Sequence, residues 1–223
     1  MWHKRRVIAL LGGHIIEDPQ SGQFRTARFN ETRHGIIGDS LRGEATAVLF
    51  AQQPLETIVV AVGGVTPIHK IEPEAPHLST VLKQELIGLG INEANIVELD
   101  IDPGYGTAEQ LMHIAKLLDQ SPYVEELFIV SNRWHLTRVW ALMMFQDELQ
   151  RLNDRCPRTM LMAAEDVLIT FDSERWQESI VTMYRLPAMR HVLRMELQGA
   201  SQIAEGTYHF SIDVPDRSFN PSV

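Results

Sequence analysis

The chain reads Leu127-Phe-Ile-Val-Ser-Asn-Arg-Trp-His-Leu-Thr-Arg138 at the point that decides its fold. The apolar run from Leu127 to Val130 has the length and β-branched character of a buried parallel strand. Ser131 to Arg133 suit a turn from strand to helix, with a polar residue to cap the helix. The spacing therefore predicts a strand, a short turn and then a helix over 134–149.

Two side chains just beyond this strand are typical of a chemical site. His135 and Arg138 are three residues apart, so they share one face of the predicted helix near its first turn. Histidine changes charge between pH 5 and 8, and arginine is a fixed cation. At the carboxyl end of a strand, this pair indicates an anion-binding or acid–base site. A solvated arginine beside a structurally packed histidine is the alternative.

The same order of strand, loop and helix recurs along the chain. Buried strands are predicted at Val7–Leu11, Thr57–Val62, Asn95–Leu99, Leu127–Val130 and Thr159–Ala163, and the helices between them at about 39–52, 77–89, 107–119 and 134–149. Alternation of this kind indicates right-handed βαβ units and a parallel sheet covered on both faces. The predicted fold class is therefore α/β, a three-layer sandwich with a mainly parallel central sheet of about five strands.

The whole chain, 1–223, is predicted to be a single α/β domain with a core over 7–149. Residues 150–199 add the fifth strand and a long amphipathic helix over about 172–197, which Pro187 would kink or split. Residues 200–223 form a carboxyl-terminal extension, in which alternation from Tyr208 to Val214 permits a late edge strand. Residues 14–33 read as a long polar loop that carries Arg25, Arg28 and Arg33.

Composition excludes several classes of function. The formal net charge of −9 argues against nonspecific binding to nucleic acid or to an anionic membrane. No apolar run reaches the 18 or so residues of a membrane span, and Val7–Leu11 is too short for a signal peptide. The single cysteine, Cys156, rules out an intrachain disulfide and fits a reducing compartment. A cytoplasmic protein with no membrane and no nucleic-acid partner is expected.

Ligands of open parallel sheets bind at the carboxyl ends of the strands, so the residues after each strand are informative. Gly12-Gly13 and Gly63-Gly64 end the first two strands, where glycine permits either a close backbone approach to a ligand or a plain turn. Neither pair completes a dinucleotide fingerprint or a phosphate loop with its lysine. Classical dinucleotide binding is therefore not expected.

The remaining candidates lie at helix starts. Arg42, early in the first helix, reads in isolation as a solvated helix arginine. Thr107 and Glu109 open the third helix, where the helix dipole by itself favours a carboxylate. The histidines His14, His69 and His77 are scattered over loops without the spacing of a metal triad, so no metal site is predicted. No Gly-x-Ser-x-Gly elbow supports a serine hydrolase.

Taken together, these motifs resemble the SanA/ElyC/YdcF family of bacterial proteins, a domain of unknown function. The family shows two strands that end in Gly-Gly, an arginine that opens a helix, a Thr-x-Glu helix start and a strand that leads to His-x-x-Arg. The residues that fall on this pattern are Gly12, Gly13, Arg42, Gly63, Gly64, Thr107, Glu109, His135 and Arg138, and the match spans about Val7 to Leu149. The resemblance implies a Rossmann-like sandwich that binds a nucleotide-like or other anionic small molecule.

The chain also departs from the family pattern. His14 replaces a third glycine, Gly104-Tyr-Gly-Thr-Ala-Glu-Gln110 lacks the usual serine and asparagines, and Ser79 stands where an acidic residue is usual. The amino-terminal membrane anchor of many members is not expected here. The chain is therefore interpreted as a divergent cytoplasmic member.

Two functions of different kinds follow for the predicted site. In an enzyme, His135 would act as general acid or base, and Arg42 and Arg138 would hold a phosphate or carboxylate. Glu109 would orient His135 or an arginine, or bind a ribose hydroxyl, and Asn132 would add a ligand contact. In a noncatalytic module the same pocket would hold S-adenosylmethionine or a nucleotide.

A third function is protein interaction. The long carboxyl-terminal helix, with Trp176, Tyr184 and Met189, would pack on a partner, and a homodimer is one possibility.

Overall fold

Five parallel strands form the central sheet of the computed structural model, which describes residues 4–29, 31, 37–101, 106–156 and 158–208. The sheet strands are β1 (Arg6–Leu11), β4 (Thr57–Gly64), β5 (Ile96–Ile101), β6 (Glu126–Ser131) and β7 (Arg158–Ala163), and a separate antiparallel hairpin contains β2 (Ile15–Glu17) and β3 (Phe24–Thr26). The order across the sheet is β5-β4-β1-β6-β7. The predicted α/β fold class with a five-stranded parallel sheet is confirmed.

Eight α-helices are described. They are α1 (Ser40–Gln52), α2 (Leu78–Gly88), α3 (Thr107–Asp119), α4 (Arg133–Phe145), α5 (Asp147–Arg155), α6 (Ala164–Phe171), α7 (Ser173–Arg185) and α8 (Pro187–Ala204). Helices α1, α2, α6 and α7 pack on one face of the sheet, and α3, α4 and α5 pack on the other. The core between the sheet and α1, α2, α6 and α7 is called the first core, and the core on the other face is called the second core. The first half of α8 packs into the first core, and its last turn packs into the second.

The central strand explains why the apolar runs are continuous. Ile8 and Leu10 of β1 point into one core, whereas Val7, Ala9 and Leu11 point into the other. All five side chains have no exposed surface. A strand between two helical layers needs apolar residues at every position, so its sequence does not alternate.

The chain reverses its direction across the sheet at β1. It runs outward from β1 to β4 and β5, then returns to the other side of β1 for β6 and β7. The connections that leave β1 and β6 therefore diverge above the sheet. The residues after these two strands, 12–14 and 132–135, flank the reversal point where open α/β sheets bind ligands.

Two predicted helices are divided in the structure. The helix predicted over 134–149 is α4 and α5, separated at Gln146, which has an extended backbone (φ −102°, ψ 116°). This break turns Leu149 and Leu152 of α5 into the second core. The helix predicted over 172–197 divides at Pro187, the residue expected to interrupt it.

The carboxyl-terminal helices do not offer the predicted partner surface. Trp176 and Met189 are buried in the first core of this chain, and Tyr184 packs against it. These side chains therefore stabilise the fold rather than an interface. The late strand expected over 208–214 lies outside the described residues except for Tyr208. No helix in the described ranges is both long and apolar enough to cross a membrane.

Part of the predicted loop over 14–33 is the β2–β3 hairpin, and Arg33 lies outside the described residues. Arg25 pairs with Asp18 at 2.7 Å and with Glu31 at 2.6 Å. Hydrogen bonds from its guanidinium lower the pKa of both carboxyls to about 2. Arg25 therefore holds the hairpin in shape.

Glu85 of α2 fastens the hairpin to the core. Its carboxylate accepts the backbone N–H of Thr26 at 2.7 Å, and the Thr26 hydroxyl donates to the same group. Burial raises the pKa of Glu85 above its ordinary value. The folded protein therefore binds a proton at this carboxyl more tightly than the unfolded chain does.

We expect Glu85→Gln to stabilise the protein at about pH 7 and to change little at about pH 4. Because the pKa of Glu85 is raised in the folded state, the wild type loses stability as the pH rises from the pKa of the unfolded chain through the pKa of the folded protein. Glutamine carries no charge, and it can accept from the Thr26 amide and donate to the Thr26 hydroxyl. Urea unfolding of both proteins across this pH range measures the difference.

Glu93→Gln is the control. A hydrogen bond from Lys83 lowers the pKa of Glu93, so this substitution should change the stability at about pH 7 in the opposite direction. Equal effects of the two substitutions on stability at every pH would refute the assignment of a raised pKa to Glu85.

Candidate functional site

Arg42 joins the ends of the two strands at the reversal point. Its Nη1 donates to the Leu11 carbonyl at 2.9 Å, and its Nε donates to Oδ1 of Asn132 at 2.6 Å. Its Nη2 lies 2.9 Å from Oδ1 of Asp39. The side chain is only 2% exposed, so the solvated arginine read from the isolated helix is wrong, and the role in holding a ligand anion stays a prediction. The cation is neutralised within the fold.

Asn132 is equally occupied. Its Nδ2 donates to the Gly38 carbonyl at 3.0 Å and to Oε1 of Glu165 at 3.2 Å, while its Oδ1 accepts from Arg42. The residue has no exposed surface. These bonds connect β6 to α1 and α6, and the ligand contact of Asn132 stays a prediction.

Glu165 completes this buried network. Its carboxylate accepts the Arg133 backbone N–H at 2.8 Å and the Tyr184 hydroxyl at 3.0 Å, besides the Asn132 amide. Burial and the neighbouring carboxylate raise the pKa of Tyr184 well above its usual range. Each of these three partners donates to Glu165, so its carboxylate joins α4, α6 and α7 through neutral donors.

The glycines of the first strand end are required by packing. A Cβ at Gly12 would lie 2.8 Å from the Val62 carbonyl oxygen, and one at Gly13 would collide with the Asp39 carboxylate. The Gly12 amide already donates to Oε1 of Gln110 at 3.1 Å, and Nε2 of Gln110 returns a bond to the Gly12 carbonyl. Gly12 is therefore held by Gln110 rather than free to bind a ligand.

The second glycine pair lies inside its strand and does not form a turn after it. Gly63 and Gly64 are buried in β4, in register with Asp100 and Ile101 of β5. A Cβ at Gly63 would lie 2.7 Å from Cγ of Leu78, so the glycine lets α2 approach the sheet. Close helix packing therefore explains Gly63, and the ligand contact of the pair stays a prediction.

His135 connects three elements at the carboxyl edge of the sheet. Its Nε2 lies 3.1 Å from Oγ1 of Thr107, the first residue of α3. Its Nδ1 lies 2.9 Å from Oε2 of Glu196 on α8, and the other oxygen of that carboxylate pairs with Nη2 of Arg138 at 2.9 Å. Two predicted residues, Thr107 and Arg138, are thus brought together with His135. Glu196 was not anticipated.

The carboxylate fixes the tautomer of the imidazole. An ionised Glu196 can only accept, so Nδ1 of His135 carries the proton and donates it. In the neutral ring Nε2 then has a free lone pair, to which the Thr107 hydroxyl donates. The arrangement is a hydroxyl, a base and an orienting carboxylate in series, which is how active sites activate a hydroxyl.

Glu109 does not orient His135, because both ring nitrogens are bonded to other residues. Its side chain folds back over the start of α3, where a Cβ on Gly106 would lie 3.1 Å from the carboxyl carbon. Its Oε2 is buried and has no hydrogen-bond partner among the described residues. This oxygen is an acceptor without a donor among the described residues, and the contact of Glu109 with a ribose hydroxyl stays a prediction.

The other histidines near this edge pair individually. Nδ1 of His77 lies 2.7 Å from Oδ2 of Asp100, and the His69 ring accepts the Thr66 amide at 3.0 Å. Within the described part of the chain, no group of three His, Cys, Asp or Glu side chains is placed to hold a metal ion.

Comparisons with family models, with curated proteins and with solved structures found no match. The resemblance to the SanA/ElyC/YdcF family therefore stays a prediction that rests on the order of its motifs.

We expect Arg42→Met to destabilise the fold by about 3–5 kcal/mol, because it leaves the buried Asp39 carboxylate and Asn132 amide without their cationic partner. Urea unfolding measures the loss. Arg190→Met is the matched control, since Arg190 is exposed on α8 and its loss should change stability by less than about 0.5 kcal/mol.

Asp39→Asn in the Arg42→Met background should restore part of this stability. Asparagine removes the orphaned charge and still accepts the His14 amide, which donates to Asp39 at 2.9 Å. No recovery in the double variant would contradict a charge-based explanation.

Proposed function

We propose that this protein is an enzyme that uses His135 as a general base and acid on a small, nucleotide-like or otherwise anionic molecule. The observation that carries the proposal is the hydrogen-bonded series Thr107–His135–Glu196, with 3.1 Å and 2.9 Å between its bonded atoms. This histidine has an orienting carboxylate on one nitrogen and a hydroxyl on the nitrogen that can take up a proton.

The chemistry follows from this geometry. Nε2 accepts a proton either from the Thr107 hydroxyl or from a substrate hydroxyl or water that takes its place. Glu196 stabilises the imidazolium that forms. The imidazolium then donates this proton to the substrate group whose bond breaks when the deprotonated oxygen attacks. Arg138 holds Glu196 in position through its 2.9 Å ion pair. Arg138 is therefore a positioning residue in this proposal.

An anionic ligand is supported by the surroundings of Thr107. The first amides of α3 point out of the helix end without intrahelical partners, and helix amino termini favour negative groups. Nε of Arg138 is buried and has no hydrogen-bond partner among the described residues. Glu109 offers an acceptor for a sugar hydroxyl on the same turn of α3. These groups together suit a phosphorylated or carboxylated sugar-like molecule.

We expect His135→Ala to lower kcat/KM by about 10²–10⁴-fold on any substrate that the wild type converts. The probes are nucleoside phosphates, sugar phosphates and S-adenosylmethionine, with products followed by liquid chromatography and mass spectrometry. Thr107→Val, which keeps the size of the side chain and the His135–Glu196 bond, should also lower turnover. It tests the site even if His135→Ala folds poorly.

His113→Ala is the matched control, because His113 lies on α3 and bonds only to the Glu109 carbonyl at 2.9 Å among the described contacts. Its turnover should equal that of the wild type. Unchanged turnover in His135→Ala would refute the assigned role. Tight binding of a probe without any product, with affinity lowered more by Arg138→Gln than by His135→Ala, would establish a noncatalytic binding module instead.

A further inference from the structure

The two edges of the central sheet differ in how they are protected. β5 presents charged side chains along its length, among them Glu98 and Asp100. β7 pairs on one side with β6, and no strand among the described residues pairs with its other side. Its interior, Thr159 to Met162, contains no charge and no proline. Proteins usually protect a free edge strand with charged residues or proline, so β7 is an unprotected edge strand.

Exposed apolar side chains flank β7 on both faces of the sheet. Trp140 and Phe145 of α4 are each 50% exposed, and Met144 is 46% exposed. On the other face Met160 is 38% exposed and Phe171 of α6 is 68% exposed. These five side chains, which we call the β7 rim, lie in both helical layers beside one strand.

Two shallow grooves follow the same edge. One, of about 410 Å³, lies between α4 and β7 and includes Trp140 and Leu161. The other, of about 590 Å³, lies between α1, β7 and α6 and includes Met162 and Phe171. Leu161, Ala163 and Asp166 border both grooves. β7 therefore lies between two open grooves, one on each face of the sheet.

We propose that this edge is a dimer interface, in which β7 of a second copy pairs antiparallel with β7 about a two-fold axis. The sheet then continues from one copy into the other. The helical layers continue as well, so α4 of one copy meets α4 of its partner and α6 meets α6. A two-fold interface brings the same patch together from both copies, which requires a self-complementary surface.

The charges at the ends of β7 are self-complementary. Arg158 begins the strand with its side chain 66% exposed, and it pairs with Glu126 of the same chain at 3.0 Å. Asp166, just past the end of the strand, has its side chain 58% exposed and pairs with Arg133. Antiparallel pairing places the start of one strand beside the end of the other. Each Arg158 therefore faces the Asp166 of the partner, twice in the dimer.

The apolar area is sufficient for such an interface. Half-exposed aromatic and methionine side chains each offer about 100 Å², so the β7 rim supplies about 500 Å² per copy before the strand itself is counted. Specific interfaces bury at least about 1,000 Å² in total from both partners. A second copy therefore fits the patch in shape, charge and area.

Sedimentation of the full chain from nanomolar to high micromolar concentration tests the proposal. We expect a dimer, and we expect Met160→Glu to raise its Kd by about 100-fold or more, since two carboxylates would enter the same apolar contact. Leu55→Glu is the matched control, because Leu55 is 86% exposed at a distance from this edge in the fold and its replacement should leave the dimer intact.

A charge exchange tests the symmetry. Arg158→Glu and Asp166→Arg should each weaken the homodimer by about tenfold or more, because like charges then face each other at both contacts. Mixed together, the two variants should form a heterodimer with near wild-type affinity, which native mass spectrometry separates by mass.

A full chain that stays monomeric at every concentration would overturn the proposal. So would a dimer that withstands Met160→Glu, or a mixture of the two charge variants that forms no heterodimer. A monomer whose β7 amides resist hydrogen exchange would assign the edge to another segment of the same chain and would also overturn it.

Discussion

The buried hydrogen bond from Arg42 to Asn132 is the constraint on which the carboxyl edge of the sheet depends. It spans 2.6 Å between residues that are 90 apart in sequence, and neither side chain reaches solvent appreciably. A buried cation is tolerated only when it is paired and its donors are satisfied. Asp39 supplies the opposite charge and the Leu11 carbonyl accepts a second hydrogen bond, so α1, β1 and β6 take fixed positions relative to one another.

This constraint places the candidate site. Asn132 directly precedes α4, and His135 lies in the first turn of that helix. The network through Glu165 and Tyr184 holds the same turn from the side of α6 and α7. The imidazole therefore projects from a backbone segment that is fixed on two sides. General bases act well when their geometry is set before the substrate arrives.

Local patterns were sufficient to predict the strands, their parallel arrangement and the elements that carry Thr107, His135 and Arg138. They were not sufficient for Glu196, which is 61 residues from His135 in a helix with several other charged side chains. They also misplaced Arg42, because the position of an arginine on a helix does not reveal that the helix begins over a buried strand end. Gln110 was missed for the same reason, since its amide pairs with Gly12 across 98 residues. Long-range polar pairing leaves no periodic signal in the sequence.

The location of Glu196 on α8 gives the protein an order of assembly. All five strands of the sheet precede residue 164, so the sheet and the helices up to α6 leave the ribosome before α8 does. Chains fold from the amino terminus during synthesis. Until α8 docks, His135 lacks the carboxylate that sets its tautomer. The contacts of His135 are therefore completed only when α8, the last described helix, has been synthesised and has docked.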